Sequence, residues 1–468
     1  PRVLRGEAAE AWAALRQSAP DRAHVAADAD AWSRWRQRLP QAAVVLDAIL
    51  GTGLEAPPRD FAAAVIRDAN ELAPAAARVA VDLPSGLPAD GEFAAQWAAW
   101  DWSAVFQAAA TVTFTAPKIG QVSGRGAAFC GRLYVMPIGT PAALLASGEF
   151  PIELATAAAL RRFAAPRPAD SHKGRYGHVL VVGGSLGKSG AAAMAAEAAL
   201  RAGAGLVTAA VPRSVQPLVA AYRPEVMTEA LAETSEGTLA AALVEPECLR
   251  VLCAGKTVLA LGPGVSAQAE TAATVRRLIA AAPLPWVLDA DGLNAFDGHR
   301  DELRAGAAGG VLTPHPGEMA RLLGVSIAAV QARRVQLAQE LARETGAVVA
   351  LKGFRTVVAG PSGRVWINPT GNPGMASGGS GDVLTGIVAG LLAQFPAAPR
   401  GEVVAAAVYL HGWAADLAVE TTGEMGLCAT DITAHLPAAL RRLGAAPPES
   451  AELVLDLKGP ERDLPADR

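Results

Sequence analysis

Short apolar runs alternate with helix-like stretches along the whole chain. In the first third, residues 6–16 carry a helical pattern. Residues 42–48 form an apolar run that predicts a buried strand ending at Asp47, with the loop Gly51-Thr52-Gly53-Leu54 behind it. Residues 61–69 return to helix, 78–81 read as a strand entering Asp82-Leu83-Pro84-Ser85-Gly86-Leu87, and 110–115 as another entering Ala116-Pro117-Lys118-Ile119-Gly120. Strand, polar loop, helix, strand is the rhythm of a parallel sheet with crossover helices. Polar residues that directly follow such strands fall at the carboxyl edge of the sheet, where these folds bind ligands.

Prolines 137, 141, 151, 166 and 168 cluster around one short helical stretch and mark a boundary. Beyond it a longer α/β pattern begins, with strands predicted at 179–182, 206–211, 257–261, 286–288, 310–312, 348–351 and 356–359. Helices fall between, clearest at 191–202 and 327–345, and the apolar run 383–392 reads as a buried helix. The expected division is a first domain over 1–140, a linker over 141–165, a second domain over 166–445 and a tail over 446–468.

Composition narrows the class. Hydrophobic residues make up 51% and charged residues 18% of 468, so a large core is available. Abundant alanine favours helices over an all-β design. A net charge of −4 with no basic run argues against a nucleic-acid surface. Cys130, Cys248, Cys253 and Cys428 show no zinc or disulfide spacing and read as small buried apolar residues. No apolar stretch approaches the ~18 residues of a membrane span, so a cytoplasmic enzyme is expected. The chain opens at Pro1 rather than at a methionine and is read as a fragment lacking upstream residues.

The most informative segment is Asn372-Pro-Gly-Met-Ala-Ser-Gly-Gly-Ser-Gly-Asp-Val-Leu-Thr-Gly386. Its glycines free the backbone just before the apolar helix, so successive N–H groups can turn toward one point. A helix start adds unpaired amides and a partial positive charge, which together suit an anion. Asp382 stands at that mouth, where a carboxylate could take a proton from a hydroxyl attacking a phosphate. A Gly-rich turn capped by an aspartate is the plainer reading of the same residues.

Other loops follow other strands. Gly183-Gly-Ser-Leu-Gly-Lys-Ser189 is one residue short of a Walker loop, because position 182 is Val182. Ligand-lining turn and plain tight turn are equally compatible with it. Asp289 and Asp291, at i and i+2 after a strand, are expected to point the same way and could hold Mg²⁺ through water; an Asp-rich turn is the alternative. His315 lies between prolines in Thr313-Pro-His-Pro-Gly-Glu318, a placement more often structural than catalytic. Lys352-Gly-Phe-Arg-Thr356 could contact a nucleotide. All these loops follow strands, so all are expected on one edge of one sheet.

Ser171-His-Lys-Gly174, Gly183-Gly-Ser185, residues 198–207, 261–264, 289–294, 313–318 and 372–386 together resemble the ADP/ATP-dependent NAD(P)H-hydrate dehydratases. Asp47-Ala-Ile-Leu-Gly-Thr-Gly53, residues 81–87 and Ala116-Pro-Lys118 resemble their usual fusion partner, the NAD(P)H-hydrate epimerases. The resemblance implies an α/β protein in which an incomplete Rossmann-like epimerase domain precedes a ribokinase-like α/β domain. It implies Asp382 as catalytic carboxylate, with Ala191, Gly264, His315 and Asp382 lining the hydrated dinucleotide. Lys352, Gly353, Phe354, Arg355, Thr356 and Gly381 would bind the adenine nucleotide. In the epimerase half, Gly51, Thr52, Gly53, Leu54, Glu55, Ala56, Pro57 and Asp82 would contact substrate, and Asp47 and Ser85 would hold potassium.

The implied partners are NADHX or NADPHX with ADP or ATP, the latter carrying Mg²⁺; nucleic acid and membrane are not expected, and a homo-oligomer is. The epimerase family opens its site with an Asn-Asn-Gly-Gly-Asp loop that does not occur in this chain, so epimerisation is expected where the full protein supplies those residues. Glu92 to Trp102, with Trp97, Trp100 and Trp102, departs from the family pattern and reads as local packing. Two other functions fit parts of the pattern: a ribokinase-like kinase of a vitamin-precursor alcohol, and a non-catalytic nucleotide sensor.

Overall fold

Period-2 alternation decides which strand side chains face which layer, and it does so differently in the two halves of the chain. The computed structural model describes residues 6–94, 96–145, 150–304, 309–447 and 453–456. The chain forms two compact units, 1–121 with 125–136 and 122–124 with 137–468. The first five residues, where a missing upstream segment was inferred, lie outside the described residues.

In the first unit β1 (Val44–Asp47), β2 (Ala77–Val81), β3 (Ala110–Phe114) and β4 (Arg132–Met136) pair in parallel and in sequence order. The helix Asp60–Leu72 turns Ala63, Ile66 and Ala69 inward at three-residue spacing. Ile66 and Ala69 pack with Ala80, Phe106 and Ala108 into a small core. The expectation of a buried strand at 42–48 needs correction. Alternate residues Val44 and Leu46 are 59% and 64% exposed, so β1 is covered on one face.

The second unit holds a ten-stranded sheet. Its strands are β5 (Ile152–Leu154), β6 (His178–Val182), β7 (Leu206–Pro212), β8 (Met227–Leu231), β9 (Val258–Leu261), β10 (Trp286–Leu288) and β11 (Gly310–Leu312). β12 (Val348–Leu351), β13 (Val357–Ala359) and β14 (Val365–Ile367) complete it. The order is β5-β14-β13-β12-β11-β10-β9-β6-β7-β8, parallel from β12 to β8 and antiparallel on both sides of β13. The expected linker 141–165 is therefore partly structural: β5 extends the sheet by pairing with β14, and Ala157–Leu160 is helical. In the expected tail, Leu453–Asp456 is a strand.

Both faces of this sheet are buried, which is why its strands read as continuous apolar runs. Val179 and Val181 face one core with the helices Ser189–Arg201, Ser380–Gln394, Arg400–Thr422 and Ala429–Gly444. Leu180 and Val182 face the other, with Cys253, Leu278, Met319 and Leu341. Cys130 is buried too, but the expectation fails for Cys248 and Cys428, which are exposed. Alanine and glycine let the first helices approach closely: a Cβ on Gly386 would lie 2.1 Å from the carbonyl oxygen of Ala195. The helix predicted over 327–345 is two helices, Ile327–Ala332 and Arg334–Thr345, broken at Arg333 where φ is −138° and ψ 46°. The expectation that no segment approaches a membrane span also changes. Arg400–Thr422 has the length and apolarity, but 89% of its apolar window is buried inside the fold, as a core helix would be.

Candidate active site

After β8 the chain returns to the other side of β6, so β6 and β9 are neighbours whose crossover loops leave in opposite directions. Such a switch point opens a crevice at the carboxyl edge. The loops after β6, β9, β10, β11 and β12 all end there, as their sequence positions required.

Asp289, directly after β10, is 1% exposed. Its Oδ1 accepts from Lys352 Nζ at 2.7 Å and its Oδ2 from Thr385 Oγ1 at 2.8 Å. Lys352 Nζ also lies 3.8 Å from Glu318 Oε2. Burial pulls the Lys352 ammonium down, but Asp289 and Glu318 outweigh it and its pKa is raised. A Cβ on Gly381 would sit 3.1 Å from Lys352 Nζ and 3.4 Å from Asp289 Oδ2, so glycine there leaves the helix start open to this pair.

Gly379, with φ 90°, caps the helix Ser380–Gln394, and the first ladder bond runs from Val383 N to Gly379 O at 3.1 Å. The amides of Ser380, Gly381 and Asp382 precede that bond and have no partner in the helix ladder. The Asp382 carboxyl in this first turn is pushed up to about 7 by burial, then by Asp289, with Asp291 and Glu318 adding and Lys352 opposing. A carboxyl that titrates near neutrality is matched to taking and returning a proton.

His315 is a helix cap. Its Nδ1 accepts from the amides of Gly317 and Glu318 at 2.9 and 3.2 Å, and Glu318 Oε2 accepts from the His315 amide at 2.7 Å. Burial, followed by the Lys352 and Arg321 cations, lowers the His315 pKa. The ring is therefore neutral at pH 7, with its proton on Nε2, 3.4 Å from Glu318 Oε1. Gly264 and Ala191 face one another: a Cβ on Gly264 would be 3.0 Å from Ala191 Cβ and 2.8 Å from the Lys188 carbonyl oxygen. Ser185 Oγ donates to Gly264 O at 2.8 Å, tying the loop after β6 to the loop after β9.

The aspartate pair departs from expectation. Ala290 has φ 52°, so strand alternation stops at Asp289 and the two carboxylates part. Asp291 accepts from Lys188 Nζ at 2.9 Å and from the Ser266 amide at 3.0 Å. Each aspartate thus has its own lysine, and among the described residues no three His, Cys, Asp or Glu side chains gather around a metal position. The nucleotide segment divides as well. Phe354 is 58% exposed, Thr356 Oγ1 donates to Gly353 O at 3.1 Å, and Arg355 turns inward to donate to Pro369 O. Thr385, one helical turn beyond Asp382, and Glu318, at the third helical position after His315, join the site although neither is among the expected site residues. Their i, i+3 spacings were the available signal.

In the first unit Asp47 and Ser85 are both buried and bonded to one another: Ser85 Oγ donates to Asp47 Oδ1 at 2.6 Å, and Ser85 N to Oδ2 at 2.7 Å. Burial raises the Asp47 pKa against these bonds. Asp82, at φ 65°, receives Lys118 Nζ at 2.5 Å and Thr113 Oγ1 at 3.1 Å. Residues Gly51 to Pro57 form the loop between β1 and the next helix; Gly51, Thr52, Gly53 and Glu55 are exposed, and Leu54, Ala56 and Pro57 half-buried. The tryptophan segment packs, with Trp97 edge-on to Trp102 at 5.0 Å, and also pins the Ser85 turn through Trp100 Nε1 to Gly86 O at 2.8 Å.

Residues 179–438 match the NAD(P)H-hydrate dehydratase family and residues 2–120 the YjeF-related protein N-terminus family. The bifunctional NAD(P)H-hydrate repair enzyme of Moorella thermoacetica is 47% identical over 400 residues, covering 86% of this chain and 73% of that protein. The chain belongs to the bifunctional NAD(P)H-hydrate repair enzymes. The Escherichia coli repair enzyme is 37% identical over 394 residues, covering 84% of this chain and 70% of that protein. Among solved structures, the ADP/ATP-dependent NAD(P)H-hydrate dehydratase of Bacillus subtilis, co-crystallised with ATP and Mg²⁺, is 32% identical with a TM-score of 0.53. It covers 62% of this chain and 98% of that one. A ribokinase-like protein of Enterococcus faecalis, 28% identical, gives 0.54 over 63% of this chain and 98% of its own. The family thus supplies the ribokinase-like fold expected for the second half, and its members combine a lyase with an isomerase.

Proposed function

We propose that the second unit dehydrates the S form of hydrated NADH or NADPH, consuming ADP or ATP and releasing AMP or ADP with phosphate. The observation that carries this reading is Asp382: a carboxyl pushed up to about 7 by burial and by Asp289, in the first turn of a helix whose leading amides have no partner in the helix ladder. The hydrated ring carries a hydroxyl at C6, and hydroxide is a poor leaving group. Asp382 takes the hydroxyl proton as the oxygen attacks the terminal phosphorus, and AMP or ADP departs. The amides of residues 380–382 and the Lys352 ammonium stabilise charge on the transferring phosphoryl group. The ring-nitrogen lone pair then expels phosphate from C6, and loss of a C5 proton restores the C5–C6 double bond.

Ala191, Gly264 and His315 line the hydrated dinucleotide in this reading, with neutral His315 offering Nε2–H as a donor. Lys352 to Thr356 and Gly381 take the adenine nucleotide, mainly through backbone and the exposed Phe354 ring, since the Arg355 side chain is engaged elsewhere. ADP is the preferred co-substrate. Mg²⁺ enters with its phosphates, because Asp289 and Asp291 are already paired with lysines. Incubation with chemically hydrated NADH and ADP or ATP tests the reading: reduced-ring absorbance should return with one phosphate per ring. A stable phosphoester would indicate a kinase, and binding without phosphate release a sensor.

The first unit, in the same reading, interconverts R and S hydrates where the full protein supplies the Asn-Asn-Gly-Gly-Asp loop that does not occur in this chain. Asp82 and its Lys118 partner form the polar centre, beside substrate contacts from Gly51 to Pro57. Asp47 and Ser85 are the proposed potassium ligands: the Ser85 hydroxyl and amide already hold the two Asp47 oxygens, and a carboxylate keeps further lone pairs for a cation. Loss of the R form faster in K⁺ than in Na⁺, abolished by Asp47→Asn, is the expected result. A homo-oligomer in the cytoplasm completes the reading, and light scattering of the purified chain checks the assembly.

A further inference from the structure

Arg400–Thr422 is buried from Val403 to Ala418, and helix packing alone would fill every one of those positions with apolar residues. Two are not. Asp416 is 1% exposed, with Oδ2 accepting from the Gly371 amide and Oδ1 from Asn372 Nδ2, both at 2.9 Å. Asn372 Oδ1 in turn accepts from the Gly374 amide at 3.1 Å. Five residues earlier, His411 Nε2 lies 3.4 Å from Ser380 Oγ. One helix therefore holds both ends of the Gly-rich segment, residues 371–372 at one end and Ser380 at the other.

The approach between helix and segment is built in. A Cβ on Gly412 would lie 2.3 Å from Thr370 Oγ1, and that hydroxyl donates to Tyr409 O at 2.9 Å. A Cβ on Gly374 would lie 2.7 Å from Glu424 O. Between the two ends the ties thin out: the buried Ser377 Oγ has no hydrogen-bond partner among the described residues and nothing stands within 4 Å of a Cβ on Gly378, before Gly379 packs on Met194. A glycine-rich run has large conformational freedom to lose, so amides aimed at one point must be held from outside the run. Buried carboxylates are disfavoured unless fully bonded, so Asp416 stands where an apolar residue would stabilise the core more.

We propose that His411 and Asp416 are positioning residues for phosphoryl transfer: from one buried helix they clamp the two ends of segment 371–380 and so aim the amides before Asp382. The role rests on the dehydratase reading above. Neither side chain touches substrate; both act through the segment. Preorganised donors matter most in the transition state, so loosening the clamp lowers kcat more than it raises KM for the hydrate, whose other contacts come from Ala191, Gly264 and His315.

The test compares Asp416→Asn, Asp416→Ala and His411→Gln with wild type and with Val403→Ala, a cavity in the same helix away from the segment. Measured are kcat, KM for hydrated NADH, melting temperature, and amide hydrogen exchange over 378–382. Asp416→Ala should lower kcat by about 10–10²-fold with KM changed less than about threefold, and should speed exchange over 378–382. Asp416→Asn, nearly isosteric, keeps one acceptor and should fall between. Val403→Ala should lower the melting temperature with kcat unchanged at 25 °C. Unchanged exchange over 378–382 in both Asp416 variants, or a kcat loss that merely follows melting temperature across all four, would overturn the clamp. A wild type without dehydratase activity would refute the proposed function instead, and the exchange data would still decide whether the helix holds the segment.

Discussion

Asp382→Asn should move activity and stability in opposite directions, because the property that makes Asp382 a base also costs folding energy. The asparagine keeps the size of the side chain and loses the proton acceptor, so dehydration should fall by about 10²–10⁴-fold. Stability follows from the pKa, about 7 in the fold against an ordinary 3.8, with burial the leading cause and Asp289 the next. A carboxyl whose folded pKa is raised favours the native state fully below about pH 4, and that advantage is lost as pH rises through about 7. Above 7 the fold carries a charge it disfavours by up to about 4 kcal/mol, at ~1.4 kcal/mol per tenfold. Water at the mouth reduces this, and about 1–3 kcal/mol is expected at pH 8. Asparagine carries no charge, so the variant should be the more stable protein at pH 8 and equal to wild type near pH 4. Urea unfolding at the two pH values reads the difference. Initial rates across pH should show wild-type kcat/KM half-maximal near 7 and falling tenfold per pH unit below it. A variant that turns over within about threefold of wild type, or that is less stable at pH 8, refutes the reasoning.

Further substitutions separate the parts. Lys352→Met leaves Asp289 buried without its cation and should destabilise by about 3–5 kcal/mol at pH 7. It also removes the group that lowers the Asp382 pKa, so the acid limb of kcat/KM should move above pH 7. Gly386→Ala drives a methyl group to 2.1 Å from Ala195 O and should cost about 1–3 kcal/mol in urea unfolding; an unchanged midpoint would mean the two helices can separate freely. In a protein that carries the Asn-Asn-Gly-Gly-Asp loop, Lys118→Met strips Asp82 of its cation and should return R-hydrate loss to its spontaneous rate while S-hydrate dehydration is unaffected, both read by chromatography.

The sequence made the strands of the second unit legible because that sheet is covered on both faces, and Val179 to Val182 can only be an apolar run. The same logic misled at 42–48, where Val44 and Leu46 are just as apolar but face outward. β4, β5, β8 and β14 were missed: β5 and β14 have three residues each, Glu153 and Glu229 interrupt the apolar pattern of β5 and β8, and β4 begins at Arg132. The loops after the strands were placed correctly, since position after a parallel strand fixes the sheet edge. Their side-chain directions were not legible. Asp289 and Asp291 part because Ala290 takes φ 52°, and Arg355 turns inward from another positive-φ position, φ 56°. His411 and Asp416 were hidden in a helix whose composition reads as core, and partners about 30 to 45 residues away in sequence leave no local pattern.

The central claim is that the C6 hydroxyl is phosphorylated before it leaves, and isotope tracing tests it most directly. NADH hydrated in ¹⁸O water carries the label in that hydroxyl, and the products of its dehydration by this chain with ADP can be resolved by mass spectrometry. The mechanism predicts that the label departs in inorganic phosphate, one atom per restored ring. Label recovered in water, with unlabelled phosphate released alongside, would contradict it.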